Sequence, residues 1–253
     1  AYEISECLVG SEMCIRDSFN GEIYDYKELR AELEAAGISF RTHSDTEVLV
    51  NTIQKYGEKA LDKLRGMFGF AVWNEKEQTL MLARDFFGIK PVYYAQIGGH
   101  FVFASEIKSI LAFPEYKREV NRLALEPYLS FQYSALEETF FKGIYKLMPG
   151  HVLIYRDGKY EIKSYFKARL TLGQWEESQE NSNVGTRRDE NVNELKENNP
   201  DMQPLQARLE TILDDSVKHH MLSDVEVGAF LSGGVDSGYL AAASGADLSL
   251  IHI

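Results

Sequence analysis

Cysteine is nearly absent, with two in 253 residues. Cys7 and Cys14 are too few for a disulfide framework. Basic residues are also scarce: 27 Lys and Arg stand against 39 Asp and Glu, for a formal net charge of −12. That balance argues against a general nucleic-acid binder, which needs a basic face for phosphates. No apolar run is long enough to span a bilayer, and the N-terminus lacks the basic-then-apolar plan of a signal peptide. No histidine cluster has metal-ligand spacing; His219 and His220 end a helical pattern, where a solvated or dipole-favoured position accounts for them. Hydrophobic residues at 44% and charged residues at 26% are ordinary for a globular protein. The length favours two domains over one. Together these figures predict a cytoplasmic enzyme, or a fragment of one, that handles small molecules without nucleic-acid or membrane partners.

Residues 19–170 read as a dense α+β unit. YKELRAELEAAGISF places Leu29, Leu33 and Ala36 on one helical face, with Gly37 as the stop. DTEVLVNTIQKYG repeats the plan, with Val48, Ile53 and Tyr56 inward and Gly57 closing it. FGFAVWNEKEQTLMLARD then reads as a hairpin around a polar turn at Asn74 to Gln78. PVYYAQIGGHFVFASE turns on Gly98-Gly99, and HVLIYRDGKYEIKSYF on Asp157-Gly158. Helices followed by successive hairpins predict antiparallel sheets with helices packed outside them. The aromatic richness of VYYAQIGGHFVF belongs to sheet core rather than to a stacking platform. Glu106 and Lys108 read as an ion pair or surface charge.

Composition shifts at about Thr171. Residues 171–201 are polar, rich in Asn and Glu, and read as a linker or surface loop. The helical period returns in PLQARLETILDDSVKHHML, with Leu205, Leu209, Ile212, Leu213 and Val217 on one face. A strand, EVGAFL, and the segment SGGVDSGYLAAASGA follow.

FLSGGVDSGYLAA, residues 230–242, carries the sharpest chemical signal. An apolar strand runs into Ser232-Gly233-Gly234, and a helix starts near Asp236. Glycines let backbone N–H groups approach an anion, and a helix N-terminus adds partial positive charge. Ser232 and Ser237 add hydroxyl donors for a pyrophosphate, while Asp236 suits a bridging Mg²⁺. A bare glycine turn would need neither the serines nor the acid. The Gly-Lys-Ser/Thr ending of a Walker-type loop is missing, which sets aside a kinase or GTPase. In FNGEIYDY, residues 19–26, an Asn-Gly turn at Asn20 and Gly21 offers a side-chain amide and a backbone N–H for an oxyanion hole. Glu22 beside it suits an ammonium group. Asp45, in THSDTEV, stands at a helix start. Taken singly, Asn20-Gly21 is also a plain turn, and Asp45 is also a helix N-cap.

The series FNGEIYDYKELR, HSDTEVLV, LRGMFGFAVWNEKEQTLMLARDFFGIKPVYY, FVFASEIKSIL, KLMPGHVL and FLSGGVDSGYLAA resembles glutamine-hydrolysing asparagine synthetases, in unbroken order from Phe19 to Ala242. The resemblance implies an α+β glutaminase of the N-terminal-nucleophile-hydrolase type, with antiparallel sheets sandwiched between helices. It implies next the first strand-loop-helix of a Rossmann-like ATP pyrophosphatase domain. Glutamine hydrolysis would supply ammonia through an internal channel. Aspartate would be activated with ATP and Mg²⁺ as β-aspartyl-AMP and amidated to asparagine. Mapped by position, Asn20 and Gly21 match the oxyanion-hole pair, and Asn20, Glu22 and Asp45 match residues that hold glutamine. Leu231, Ser232, Gly233, Gly234, Val235, Asp236 and Ser237 match the adenylate and pyrophosphate loop, with Asp236 near the metal. Phe86 stands where an arginine is usual, and Asp25 where asparagine is common.

The family's nucleophile is a chain-terminal cysteine whose own α-amine is the general base. An arginine that clamps the glutamine carboxylate lies between it and the Asn-Gly-Glu segment. Cys14 is internal and too close to Asn20, and Cys7 fails for the same reasons, so neither fills that role. The two ends share another property. MCIRDS, Met13 to Ser18, can be encoded by ATG TGT ATA AGA GAC AGC. The reverse complement, CTG TCT CTT ATA CAC AT, translates to the LSLIHI of residues 248–253. The string resembles a transposon-end adapter used in sequencing libraries, and LVGSE, residues 8–12, fits its upstream extension. The expected division is therefore a non-native leader at 1–17, glutaminase at 18–170, linker at 171–201, the start of a synthetase at 202–247 and a non-native tail at 248–253. The leader is expected to be extended or poorly ordered, and the rest of the glutaminase to expose sheet edges.

Three readings remain open: a fragment of asparagine synthetase, an amidotransferase acting on another carboxylate, and a catalytically dead glutamine- or nucleotide-binding remnant. If the adapter reading holds, sequencing outward from codons 19–242 in source DNA finds different codons at both ends; native codons for both terminal peptides would remove it.

Overall fold

Alternation along the first hairpin shows how the first unit is layered. In a computed structural model, Phe68, Phe70 and Val72 point to one side of the strand Gly66–Asn74 and Ala71 to the other. The partner strand Thr79–Arg84 does the same, with Met81 and Ala83 opposed to Leu80 and Leu82. Such a period of two gives a sheet two distinct faces, and here both are apolar. The structure describes residues 15–134, 136–167, 203–223, 227–245 and 249–252. The chain forms two compact units, Ala1–Ala168 and Arg169–Ile253.

In the first unit, β1 (Ile15–Ile23), β2 (Gly66–Asn74), β3 (Thr79–Arg84), β7 (His151–Arg156) and β8 (Lys159–Ser164) form one sheet in the order β1-β2-β3-β7-β8. Every pairing in it is antiparallel. A second antiparallel sheet has the order β5-β4-β6, from β4 (Tyr93–Ile97), β5 (His100–Ala104) and β6 (Ile144–Lys146). One face of the large sheet packs on α1 (Tyr26–Ala35) and α2 (Asp45–Tyr56), through Leu29, Leu33, Val48, Leu49 and Ile53. Its other face packs on the small sheet through Leu82, Leu153, Val92, Tyr94 and Leu147. Beyond the small sheet, Ala95 and Ile144 meet Ile110 of α3 (Ile107–Leu111). The order helix, sheet, sheet, helix is the expected sandwich.

Local chemistry fixes the turns. Gly98 and Gly99 have φ of +56° and +86°, the left-handed pair of a type I′ hairpin turn. Asp157 and Gly158 repeat it at +51° and +76°. At the β2–β3 turn, Asn74 Oδ1 accepts from the backbone N–H groups of Lys76 and Glu77, an Asx turn. Ala36, expected inward, is the exposed C-cap of α1, one residue past its last turn. The helix α4 (Leu125–Phe131) was not signalled by periodicity and buries no residue. Glu106 and Lys108 form an ion pair at the surface.

The link between the two sheets, residues 85–92, is held by adjacent opposite charges. The fully buried Asp85 carboxylate accepts from four backbone N–H groups: Phe68 at 3.2 Å, Phe87 at 3.1 Å, Ile89 at 2.9 Å and Lys90 at 2.9 Å. Arg84 donates to the carbonyls of Lys90, Leu147 and Gly88 at 2.7–2.8 Å. Phe86, at the position where the resemblance leads one to expect arginine, packs its ring against Phe68, Tyr165 and Phe166.

In the second unit, α5 (Gln203–His220) precedes β9 (Gly228–Leu231), α6 (Val235–Ala243) and β10 (Ser249–His252), and β10 pairs with β9 in parallel. This is a strand-helix-strand crossover. Val217 of α5 is buried, but Leu209 and Ile212, expected on the same inward face, are more than half exposed; the side chain of Leu205 lies outside the described set. His219 and His220 engage the carbonyls of Asp215 and Ser216 in the preceding turn, a local role. No described helix is long and apolar enough to cross a membrane.

Parts of both ends are described. Ile15, Arg16 and Asp17 belong to β1 and pair with Asn74, Trp73 and Val72. Ser249–His252, in the expected tail, pairs with β9. Ladder bonds use backbone groups that any residue except proline supplies in full, so pairing here does not depend on side-chain identity. Residues 1–14, with Cys7 and Cys14, and the 171–201 linker lie outside the described residues.

Replacing Asp85 by Asn sets an NH₂ group against amide donors in a buried site. The expected loss is about 3 kcal/mol of unfolding free energy, read by denaturant titration. A loss under about 0.5 kcal/mol would remove Asp85 as the anchor of this link.

Candidate functional site

Asn20, Gly21 and Glu22 are expected at a turn, and the structure corrects this. They lie inside β1, opposite Gly69, Phe68 and Met67. The physical reason is a close backbone approach. A Cβ on Gly21, whose φ is +153°, would stand 2.0 Å from the Met67 carbonyl oxygen. A Cβ on Gly66 would stand 2.1 Å from the Glu22 carbonyl oxygen. Glycine on both strands lets β1 and β2 pair where the Asn-Gly dipeptide alone suggests a turn. The Asn20 side chain is exposed and has no hydrogen-bond partner among the described residues.

Asp45 is the first residue of α2 rather than its N-cap. Ser44 caps the helix, its hydroxyl accepting from Thr46 N–H at 3.1 Å. The Asp45 carboxylate is thus free to bond elsewhere. Its Oδ2 accepts from the Ile23 N–H at 3.2 Å, and its Oδ1 from the Thr46 hydroxyl at 3.3 Å. The first of these bonds spans 22 positions. It joins the start of α2 to the residue that follows Asn20-Gly21-Glu22, so four expected site residues come together. A cavity of about 740 Å³ runs along the same strand, lined by Asp17, Asn20, Thr46, Phe70, Val92 and Ser105 among others. Its size suits a small-molecule site. Burial pushes the Asp17 carboxyl up, against a smaller lowering by its backbone hydrogen bond.

Glu47 was missed. It is buried in α2, and its carboxylate accepts from Arg41 N–H at 2.8 Å, Thr42 N–H at 2.7 Å and the Thr42 hydroxyl at 2.5 Å. Ser44-Asp45-Thr46-Glu47 has the spacing of a capping box, which was the available signal. Here the glutamate reaches past the cap to the preceding loop. Burial alone would raise its pKa, but the bonds from Thr42 and Arg41, with the nearby Arg30 charge, hold the carboxyl below its ordinary value.

In the second unit, Leu231 ends β9 and Ser232, Gly233 and Gly234 form the loop. Gly233 has φ +79°, with open space where a Cβ would be. Gly234 is the N-cap of α6 and supplies no side-chain cap. The helix starts at Val235, one residue before Asp236. Ser232 Oγ and Ser237 Oγ lie 3.1 Å apart, and Ser237 Oγ donates to the Gly234 carbonyl at 3.1 Å. Both hydroxyls therefore border one exposed loop, with Val235 and Asp236 also exposed. Among the described residues no group of three His, Cys, Asp or Glu side chains could hold a metal by itself.

The family model of the glutamine amidotransferase domain matches residues 11–166. The chain belongs to that family. The asparagine synthase model matches residues 208–251, in the second unit. Glutamine-hydrolyzing asparagine synthetase 1 of Bacillus subtilis is 43% identical over 223 residues, covering 88% of this chain and 31% of the relative. Asparagine synthetase 3 of the same organism is 36% identical over 225 residues, covering 88% and 33%. The chain thus spans about a third of the length of the curated relatives it matches. Glutamine phosphoribosylpyrophosphate amidotransferase of B. subtilis has a TM-score of 0.45 at 19% identity, covering 96% of this chain and 46% of that one. In this amidotransferase domain, Asn20, Gly21, Glu22 and Asp45 all fall within the matched span.

The depressed Glu47 pKa has a definite consequence. The carboxylate contributes stability above its unfolded pKa of ~4.3, and that contribution disappears as pH falls through the lower folded value. Wild type should therefore exceed Glu47→Gln in stability at pH 7, and the gap should close in acid, as read by urea melts across pH. A gap independent of pH would show that the charge is not what matters.

Proposed function

We propose that the first unit binds L-glutamine at Asn20, Gly21, Glu22 and Asp45, as the glutaminase part of an enzyme that makes asparagine. The Ile23–Asp45 bond carries this reading, because it joins the two segments that must act together. The Asn20 side-chain amide, without a partner among the described residues, and the backbone at Gly21 serve the oxyanion, while the Glu22 and Asp45 carboxylates serve the ammonium group of the substrate. Glu22 has other interactions in the fold, so its share in binding is one of orientation as well as charge.

The second unit supplies the phosphate loop of an ATP-dependent, Rossmann-like synthetase domain. The uncapped N-terminus of α6, the two facing serine hydroxyls and Gly233-Gly234 fit a pyrophosphate. Mg²⁺ fits through phosphate oxygens and the single Asp236 carboxylate, the way this ion binds with few protein ligands. It would neutralise phosphate charge. Leu231 and Val235 frame the loop. Aspartate is the acceptor acid by likeness to the asparagine synthetases.

Adding L-glutamine to the ¹⁵N-labelled chain should shift the amide resonances of Asn20 to Ile23. Mg²⁺ with pyrophosphate should shift Ser232 to Ser237. No response to glutamine would overturn the glutamine site. Resonances at 232–237 that ignore pyrophosphate would overturn the nucleotide reading.

A further inference from the structure

Asp45 can serve a ligand only if the chain entering α2 is fixed, and a closed set of hydrogen bonds fixes it. In a simple capping box the N3 glutamate returns to the N-cap amide. In this protein the Ser44 amide instead donates to Thr42 Oγ1 at 3.2 Å, while Thr42 Oγ1 donates to Glu47 at 2.5 Å. The carboxylate of Glu47 also takes the amides of Arg41 and Thr42. Arg30 closes the outer side, its Nη1 donating to the Thr42 carbonyl at 2.6 Å while its guanidinium lies 4.6 Å from the Phe40 ring centroid. On the inner side, the Asn51 side chain donates to the Glu47 carbonyl at 2.8 Å. Thr42 is thus the junction of the loop: its N–H and hydroxyl both donate to Glu47, its hydroxyl accepts from Ser44, and its carbonyl accepts from Arg30.

We infer that Glu47 and Thr42 are positioning residues that hold Asp45 against β1 and so set the geometry of the glutamine site. The inference rests on the reading of Asn20, Gly21, Glu22 and Asp45 as that site. The chain of contacts runs from Glu47 to Thr42, from Thr42 to Ser44, from Ser44 to the Thr46 amide, and from Thr46 and Asp45 to Ile23. Neither positioning residue has to touch substrate. A buried carboxylate that holds loop amides is worth keeping at this place because the loop it holds carries a site residue. If stability were the only role, loss of Glu47 would loosen the unit evenly. The positioning role instead predicts an effect concentrated at Ile23 and at glutamine binding.

The test compares the wild-type chain with Thr42→Val, Thr42→Ser, Glu47→Gln and Asp45→Ala. One readout is hydrogen exchange of the Ile23 amide against that of Ala71, in the middle of β2. The other is L-glutamine affinity by titration. Thr42→Val and Glu47→Gln should each speed exchange at Ile23 by about tenfold more than at Ala71 and weaken glutamine binding by about tenfold, the scale of one hydrogen bond. Thr42→Ser, which keeps the hydroxyl, should restore both. Equal acceleration at Ile23 and Ala71, or none at Ile23, overturns the positioning role. Glutamine affinity unchanged in Asp45→Ala, or absent in wild type, overturns the site reading instead, and exchange at Ile23 still decides the positioning role.

Discussion

The buried carboxylate of Asp85 is the interaction on which the first unit depends most. Chain passing from one sheet to the other leaves the ladder, and its backbone groups lose their regular partners. Asp85 collects the donors of this passage and Arg84 the acceptors. The arrangement does more than satisfy polar groups. Asp85 also takes the amide of Phe68, the residue opposite Gly21 in the strand register. Arg84 takes the Leu147 carbonyl next to β6. One pair of residues thus ties the large sheet, the small sheet and the strand facing the candidate site. A charge is suited to this because hydrogen bonds to an ionised acceptor are about twice as strong as neutral ones, and four of them offset its desolvation.

The candidate glutamine site uses the same physics at β1 and α2. Asn20, Gly21 and Glu22 ride on β1, whose place is set by glycine contacts with β2 that tolerate no Cβ. Asp45 rides on α2, whose start is set by Ser44 and Glu47. The Ile23–Asp45 bond is where these two independently fixed elements meet. The phosphate loop of the second unit is built on fewer constraints. Its two serines bond to each other and Gly233 faces open space, which leaves the amides at the start of α6 to an anion.

Much of this was readable from residue order. The hairpin turns follow from Gly98-Gly99 and Asp157-Gly158, because these pairs accept positive φ. The paired helices follow from Leu29, Leu33, Val48 and Ile53 at helical spacing. The strand-loop-helix at 228–243 follows from an apolar run meeting Ser-Gly-Gly. Some expectations were changed, and at β1 and α2 a partner distant in sequence was involved. Asn20-Gly21 became strand because Gly66 and Met67 come close to it. Asp45 left the cap to Ser44, and its carboxylate accepts from the Ile23 N–H instead. Leu209 and Ile212 stayed exposed, although their spacing marks a buried face.

Sequence by itself determined the local chemistry: which turns could form, which helix faces were apolar, which serines and glycines could cradle an anion, and the family likeness. Those are properties of neighbours within a few residues, where φ preference and side-chain period act. Tertiary structure decided that Asp85 would become an anchor, that Glu47 would hold a loop and not a cap, and that Asp45 would face β1. Each of these carboxylates needed donors that only the folded backbone brings within 3 Å or so, and no spacing in the chain announces where those donors come from.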